Sequence, residues 1–474
     1  MISTGRKVLC AAALGFLCGG AMAQMTQPDQ KAFEQIGGQV YKEQQAPGFA
    51  FLVWSHGSVV FAKGYGYADL ASKTPVTADT RFAIGSITKQ LMAAAVLLLA
   101  EQGKLSLDDK LAKYLPQMPN AERITLRMLL NQDSGLHNYP NTTEHDWPTK
   151  GAIPPEKIIA ILKTDKPDFA PGEKWAYSNS NYAVLAYIVA RVSGMTYADF
   201  LKKNIFAPLA MASSGSGFTA QAGAATPYEG GAENFRVAEP QISLDLFYGA
   251  GSAVSTAQDM ARWDAALMNG KLLNAYSMHA MWTAGTLTNG TKVPYAMGFV
   301  PAEVGGHREV WHNGLSPKAG GYCYNAIFPD DKLAVVVLSN APQGSFRGQP
   351  EKIVQQVLAL YDAKIPEPAA TAAVKDDPAV HALARKMFEQ IMAGKLDPSV
   401  MTTQMAAALT PELIAQVSAQ WKEMGALEDL TLLHAEPVGI GTQYEYTGKF
   451  ANGTHQIVIF ITADGKVGGY RVVP

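Results

Sequence analysis

The chain is 474 residues long, 48% hydrophobic and 17% charged, with 39 Lys and Arg against 41 Asp and Glu. Such a composition excludes a disordered chain, and the near-neutral balance gives no electrostatic footprint for nucleic acid and no polybasic segment for a membrane surface. Three Cys are too few for a disulfide scaffold or a Cys-rich zinc site, and the length allows about two to four domains.

Residues 1–23 read as a targeting device. Arg6 and Lys7 precede a short apolar run over 8–18, and Ala21-Met22-Ala23 places small residues at the A-x-A positions. This is the pattern of a secretory signal peptide cut before Gln24, with an apolar run too short to span a bilayer. Cys10 and Cys18 each follow Leu, so there is no lipobox. The expected location is periplasmic or secreted, without a stable membrane span. The mature chain keeps Cys323 as its sole thiol, so its stability must come from its core.

Residues 47–66 predict a β-hairpin, with an apolar run over 48–54, a His56-Gly57 turn and a second strand over 58–65. Residues 82–103 predict a helix ended by Gly103. Its unbroken apolar stretch 91–100 predicts burial on all sides and falls well short of the about 20 residues a membrane span needs. Helices are expected at 125–131, at 155–162 with Pro in the first turn, and at 181–192; Thr196 caps another, with Asp199 three residues on. The stretch 213–252, rich in Gly, Ala and Ser, reads mostly as loop, and 258–267 is again helical. Residues 322–328 and 333–339 flank Pro329-Asp330-Asp331-Lys332 as a second hairpin, and 351–361 is a helix. Strands, many helices, strands and a helix make an α+β domain over 24–362. Its antiparallel sheet is drawn from both ends of the domain and flanked by helices, with an all-helical subdomain inserted between.

Residues 363–378, rich in Pro and Ala, read as a linker. Beyond it the pattern predicts a separate small α+β domain over 379–474. Leu383, Met387, Phe388, Ile391 and Met392 form one helical stripe; Leu413, Val417 and Trp421 form a second, begun by Thr410-Pro411 and closed by Gly425. Four short strands follow, with Asn452-Gly453 and Asp464-Gly465 as turns, and the alternating Tyr444, Tyr446 and Phe450 are expected in the core. This part loosely resembles the cone-shaped nuclear-transport-factor-like fold and carries no chemical motif.

No G-x-S-x-G elbow, H-E-x-x-H, P-loop or dinucleotide fingerprint occurs. What remains is Ser86-Ile87-Thr88-Lys89 at the mouth of the apolar helix. Residues three apart share a helical face, so the Ser86 hydroxyl and the Lys89 amine can meet. A serine hydroxyl needs a base to become a nucleophile, and desolvation lowers a lysine pKa toward the neutral form that serves as one. A lone S-x-x-K is a weak signal; its unusually apolar setting strengthens it. The second element is Tyr177-Ser178-Asn179, between the Pro171-Gly172 turn and a helix start. There a Tyr can shuttle a proton and an Asn can bind both a substrate amide and a lysine. Tyr139-Pro140-Asn141 fits the same Y-x-N spacing. The third is His312-Asn313-Gly314 before the late hairpin. On an edge strand facing the helix, Gly314 allows close backbone approach. The Leu315 N–H can join the Ser86 N–H as an oxyanion hole, and His312 can bond Tyr177 or a substrate carboxylate.

Ser86–Lys89, Tyr177–Asn179 and His312–Gly314, in that order, resemble the three motifs of serine hydrolases typified by class C β-lactamases. That group also holds D-alanyl-D-alanine carboxypeptidases, D-aminopeptidases and family VIII carboxylesterases. The flanks Pro47-Gly48, Gly64-Tyr65-Gly66-Tyr67-Ala68, Ser134-Gly135-Leu136, Pro171-Gly172, Ser255-Thr256-Ala257 and Leu338-Ser339-Asn340 agree, over about residues 28–362. The resemblance implies Ser86 as acylated nucleophile, Lys89 as its base and Tyr177 as proton shuttle. It makes Asn179, His312 and Gly314 the substrate and network side, and Ser86 and Leu315 the oxyanion donors. No metal or cofactor is implied. The sequence departs from the pattern in three ways. His312-Asn313-Gly314 stands where dedicated β-lactamases have K-T-G. Ser316-Pro317-Lys318 looks inserted ahead of Gly320-Gly321-Tyr322 and leaves Lys318 as a K-x-G decoy. Asn131-Gln132-Asp133 replaces a His-Thr pair before Ser134-Gly135-Leu136. The expected activity is hydrolysis of a small ester, amide or D-amino-acid peptide. The alternatives are a penicillin-binding-like receptor or scaffold, a β-lactamase, and an acyl transferase. Substrate choice is expected to lie in the loops at 137–153 and 213–250.

Overall fold

A computed structural model describes residues 30–473 apart from 44–45, 140–150, 232–233, 240, 317, 362–375, 403–404, 407–408, 439–440 and 463. The signal-peptide expectation, most of the linker, and Pro140-Asn141 of the second Y-x-N match lie outside the described residues. The chain divides into two compact units, Met1–Pro366 and Glu367–Pro474.

The first unit is organised by strand β1 (Gly48–Ser55), all of whose residues are buried. Its apolar run can be buried throughout because both faces of its sheet are covered. β1 turns at His56 and Gly57, whose φ values are 48° and 101°, into β2 (Ser58–Asp69), and Thr74–Pro75 adds the edge strand β3. The partners on the other side come from the far end of the unit: β4 (Val300–Val304), β5 (His307–Leu315), β6 (Tyr322–Phe328) and β7 (Leu333–Ser339). The sheet order is β3-β2-β1-β7-β6-β5-β4. β1 pairs antiparallel with β7 from Phe49↔Ser339 to Ser55↔Leu333, so the sheet joins the two ends of the unit as expected.

The period-2 rule assigns the two faces. Phe49, Phe51, Val53, Val335 and Val337 pack against α1 (Gln30–Lys42) and α9 (Gln349–Tyr361), while Ala50, Leu52, Val336 and Leu338 join the core of the helical block. That block contains α2 (Thr88–Glu101), α3 (Leu126–Asn131), α4 (Pro155–Leu162), α5 (Asn179–Ser193), α6 (Tyr197–Leu201), α7 (Ala257–Met268) and α8 (Ala275–Trp282). Thr196 caps α6 through Asp199, as expected. No single helix among the described residues is long and apolar enough to cross a membrane.

Several local expectations change. The helix expected from residue 82 is a short strand at Phe82–Ala83, a 3-10 turn at Gly85–Ile87 and then α2 from Thr88. Gly85, at φ 52°, breaks the helical path and puts Ser86 on the turn ahead of the helix. α5 begins at Asn179, two residues early. α1, α8 and β4 were not expected, and the edge strand expected at His312–Gly314 extends back to His307 as β5. The stretch 213–252 carries short elements, including a 3-10 turn at Leu244–Phe247.

The second unit packs α10 (Pro378–Ala393) and α11 (Pro411–Trp421) on a meander of β8 (Leu427–Val438), β9 (Gly441–Phe450), β10 (Gly453–Thr462) and β11 (Val467–Val473). Met387, Phe388, Ile391, Tyr446 and Phe450 are buried in its core and Tyr444 packs against it. Phe388 stacks on Trp421 at 5.6 Å. Leu413, expected on the second stripe, is 39% exposed.

Candidate active site

The site grows from the start of α2. Ile84, Gly85, Ile87 and Lys89 are buried and Ser86 is half-buried. The Lys89 amine lies 3.1 Å from Ser86 Oγ, and it donates to Asn179 Oδ1 and to the Ala250 carbonyl, both at 2.8 Å. Burial in the apolar helix environment holds its pKa well below the ordinary lysine value. A neutral amine has two N–H groups and one lone pair. Both acceptors lack a proton to offer, so they take the two N–H groups, and the lone pair is left for the Ser86 hydroxyl.

The Tyr177 ring lies over this amine, 4.6 Å from Nζ to the ring centroid. Its hydroxyl is buried without a partner of hydrogen-bonding geometry. Burial pushes the phenol pKa up, opposed by the nearby Ser86 hydroxyl. The Tyr177 loop rests on Gln132, which ends α3 in the left-handed region at φ 67°. The Gln132 backbone carbonyl accepts from Ala176 N–H at 3.2 Å. Its side-chain oxygen accepts from Ser178 N–H at 3.1 Å and from Asn181 Nδ2 at 2.6 Å. Asn138 Oδ1 accepts from Asn179 N–H at 2.9 Å. The departure at Asn131-Gln132-Asp133 therefore supplies the bed on which Tyr177 and Asn179 are presented. Tyr139 of the alternative Y-x-N match is fully buried and its hydroxyl donates to the Leu246 carbonyl, away from this group.

β5 closes the other side. β4 pairs with β5 only over residues 307–311, so the edge from His312 to Leu315 has no strand partner there among the described residues. Instead it lies against the turn bearing Ser86. A Cβ on Gly314 would stand 1.9 Å from the Ile84 carbonyl oxygen, and one on Gly85 would stand 2.5 Å from the Leu315 nitrogen. Only glycines permit this approach of the two backbones, which brings the Leu315 N–H beside the residue preceding Ser86. The Ser316-Pro317-Lys318 segment does not displace Leu315. Leu315 still pairs with Tyr322, and the Ser316 carbonyl accepts from Ala319 and Gly320 N–H. The exposed Lys318 amine donates to the Glu239 carbonyl at 3.2 Å, and none of its hydrogen bonds reaches Ser86, Lys89 or Tyr177.

His312 is placed differently from expectation. It is 2% exposed, and both ring nitrogens are used inside the protein, Nε2 at 2.9 Å from the Tyr295 hydroxyl and Nδ1 at 2.5 Å from the Asn313 carbonyl. Its bonds go to neither Tyr177 nor an open carboxylate site. Burial and the nearby Lys89 amine hold its pKa down at about 3, so the ring is neutral. The structure thus brings together Ser86, Lys89, Tyr177, Asn179, Gly314 and Leu315, with His312 as a neighbour of the network. Sequence reasoning missed Tyr295, the Gln132 side chain and the Ala250 carbonyl. The last leaves no side-chain signal. Tyr295 had only a weak one, a Tyr after Pro294 and ahead of Gly298, where the chain packs on the Lys89 backbone.

Among the described residues, no group of three or more His, Cys, Asp and Glu is placed to hold a metal. A cavity of about 720 Å³ lies in the 213–250 stretch, lined by Phe218, Thr226, Ile242 and Ser243, but not by Ser86, Lys89 or Tyr177. Most of the 137–153 loop lies outside the described residues.

A family model described as Beta-lactamase matches residues 24–360. The Bacillus subtilis protein named penicillin-binding protein PbpX is 34% identical over 322 residues, 67% of this chain and 76% of that protein. A D-aminopeptidase of Brucella canis is 29% identical over 346 residues, 72% of this chain and 65% of that protein. Among solved structures, the D-amino acid amidase of Ochrobactrum anthropi SV3 aligns with a TM-score of 0.62 at 23% identity. The alignment covers 70% of this chain and 97% of that one, a likeness of fold.

Proposed function

The chain belongs to the Beta-lactamase family, a family of serine hydrolases, and from that premise we propose that it is an exported hydrolase. It acts on a small ester, amide or D-amino-acid peptide through an acyl-enzyme on Ser86. The observation that carries this reading is the buried Lys89 amine 3.1 Å from Ser86 Oγ, its two other contacts being obligate acceptors. Lys89 takes the Ser86 proton as Oγ attacks the substrate carbonyl. Tyr177, over the amine, carries a proton to the leaving group. Ser86 N–H and Leu315 N–H receive the developing oxyanion. Water then releases the acyl group by the reverse proton path. Asn179 and the Ala250 carbonyl orient the amine. Neither metal nor cofactor takes part, so activity should survive EDTA; complete loss would contradict the scheme.

His312 supports an esterase or peptidase over a β-lactamase. It is neutral and fully engaged, so it is no substitute for the lysine that grips a β-lactam carboxylate. The name of the Brucella relative agrees with a D-peptide or amide substrate. The Bacillus relative's name favours a second reading, a receptor that is acylated and turns over slowly. Labelling by a fluorophosphonate or fluorescent penicillin, compared with Ser86→Ala, separates the two. Fast turnover of p-nitrophenyl esters supports the hydrolase, and stable labelling without turnover supports the receptor. Failure to label wild type would remove both. A panel of esters, D-peptide amides and cephalosporins then ranks substrates.

A further inference from the structure

We infer that Tyr295 is a positioning residue for this reaction, donating its hydroxyl hydrogen to His312 Nε2 and bracing the Tyr177 ring through an edge-on contact. The inference rests on the acyl-enzyme reading above. Tyr295 is buried, 1% exposed, on the approach to β4. Its ring meets Tyr177 edge-on, centroids 6.0 Å apart at 83°, and meets His312 edge-on at 5.7 Å and 89°. Trp175, two residues before Tyr177, lies 6.4 Å from the same ring. Such T-shaped contacts fix ring orientation as well as burying area. Tyr177 is thereby held with the Lys89 amine over its ring and Tyr295 edge-on to it.

The proton positions follow from the partners. The Asn313 carbonyl only accepts, so His312 Nδ1 carries the hydrogen facing it. Nε2 is then a bare lone pair, and the Tyr295 O–H donates to it. This bond stabilises the neutral ring. The titratable groups facing His312 are Lys89 from α2, Tyr177 from its loop and Tyr295 itself; Lys89 is a neutral amine and both phenols keep their protons, so none of the three carries charge near neutrality. Loss of the Tyr295 hydroxyl frees the lone pair to take a proton. A His312 cation would then stand beside the amine that must accept the Ser86 proton and oppose that transfer.

Tyr295→Phe keeps the ring and removes the bond. The expected result is a kcat for a neutral p-nitrophenyl ester about tenfold lower, KM within about twofold, and the acid limb of kcat/KM moved to higher pH. The double variant with His312→Gln should be no worse than His312→Gln alone, because Tyr295 acts through that ring. A wild-type kcat and acid limb in Tyr295→Phe, or fully additive losses, overturn the assignment. Nitrogen-15 NMR of the wild-type histidines is independent of variant folding and of turnover. A bare Nε2 with protonated Nδ1 at His312 is expected, and a protonated Nε2 overturns the assignment. Retained turnover in Ser86→Ala instead overturns the acyl-enzyme reading.

Discussion

Replacing Lys89 by Met tests the centre of the scheme, because it keeps the length and apolar stem while deleting the amine. Two buried acceptors, Asn179 Oδ1 and the Ala250 carbonyl, lose their donor at 2.8 Å. An orphaned buried polar group costs about 1–3 kcal/mol, partly offset because a buried polar amine is gone as well, so the variant should fold with a stability loss of a few kcal/mol. Ser86 loses the group that takes its proton. General-base assistance contributes about 10²–10⁴-fold, or about 2.7–5.4 kcal/mol of barrier. The burst of p-nitrophenolate in stopped flow and the rate of fluorophosphonate labelling should fall by that factor, with cooperative melting retained. Acylation within tenfold of wild type in a folded Lys89→Met protein would falsify the base assignment. The pH behaviour supplies a second arm. The folded amine holds its proton less tightly than the unfolded one, so between the two pKa values unfolding takes up a proton and stability rises with pH. The Met variant should lose that contribution. In wild type, the rising limb of activity should lie far to the acid side of an ordinary lysine.

Tyr177→Phe removes a hydroxyl that makes no hydrogen bond, so the melting temperature should hold while turnover drops about a hundredfold; an unchanged rate in single-turnover assays would remove Tyr177 from the proton path. Gly314→Ala forces a Cβ to within 1.9 Å of the Ile84 oxygen, a clash expected to cost about 3 kcal/mol or more and to abolish labelling. Urea titration of both variants checks this, with Gly38→Ala, which has nothing within 4 Å of its added Cβ, expected to be neutral or stabilising. Gln132→Ala releases Ser178 N–H and Asn181 Nδ2, and the shift of the Tyr177 loop should lower kcat about ten- to a hundredfold; wild-type kinetics would show that the loop is held elsewhere.

Legibility in the sequence followed how local each constraint was. The hairpin at His56-Gly57, the cap at Thr196 and the strands Tyr322–Phe328 and Leu333–Ser339 depend on a few adjacent residues and were readable. Only the His312–Gly314 end of β5 was read as an edge strand; its start at His307 was missed because the residues alternate poorly, Glu309 being buried beside Val310, and the strand's end lies against the Ser86 turn. The helix expected from residue 82 started late because Gly85 takes a positive φ, chosen by the closeness of Leu315 and invisible in local pattern. Leu413 points outward although it fits an apolar period, since periodicity alone does not say how wide a buried stripe is.

The candidate site divides along the same line. Spacing placed Ser86 and Lys89 on one face, because three residues along a helical path return to the same side, and the apolar run ahead implied a dry amine. Which Y-x-N approaches that amine, and what occupies Nε2 of His312, are matters of distance across 90 and 17 residues of chain. Only the packed structure decides them. A tyrosine, a backbone carbonyl and a glutamine acquire their roles from what stands opposite, and no short stretch of sequence records its distant neighbour.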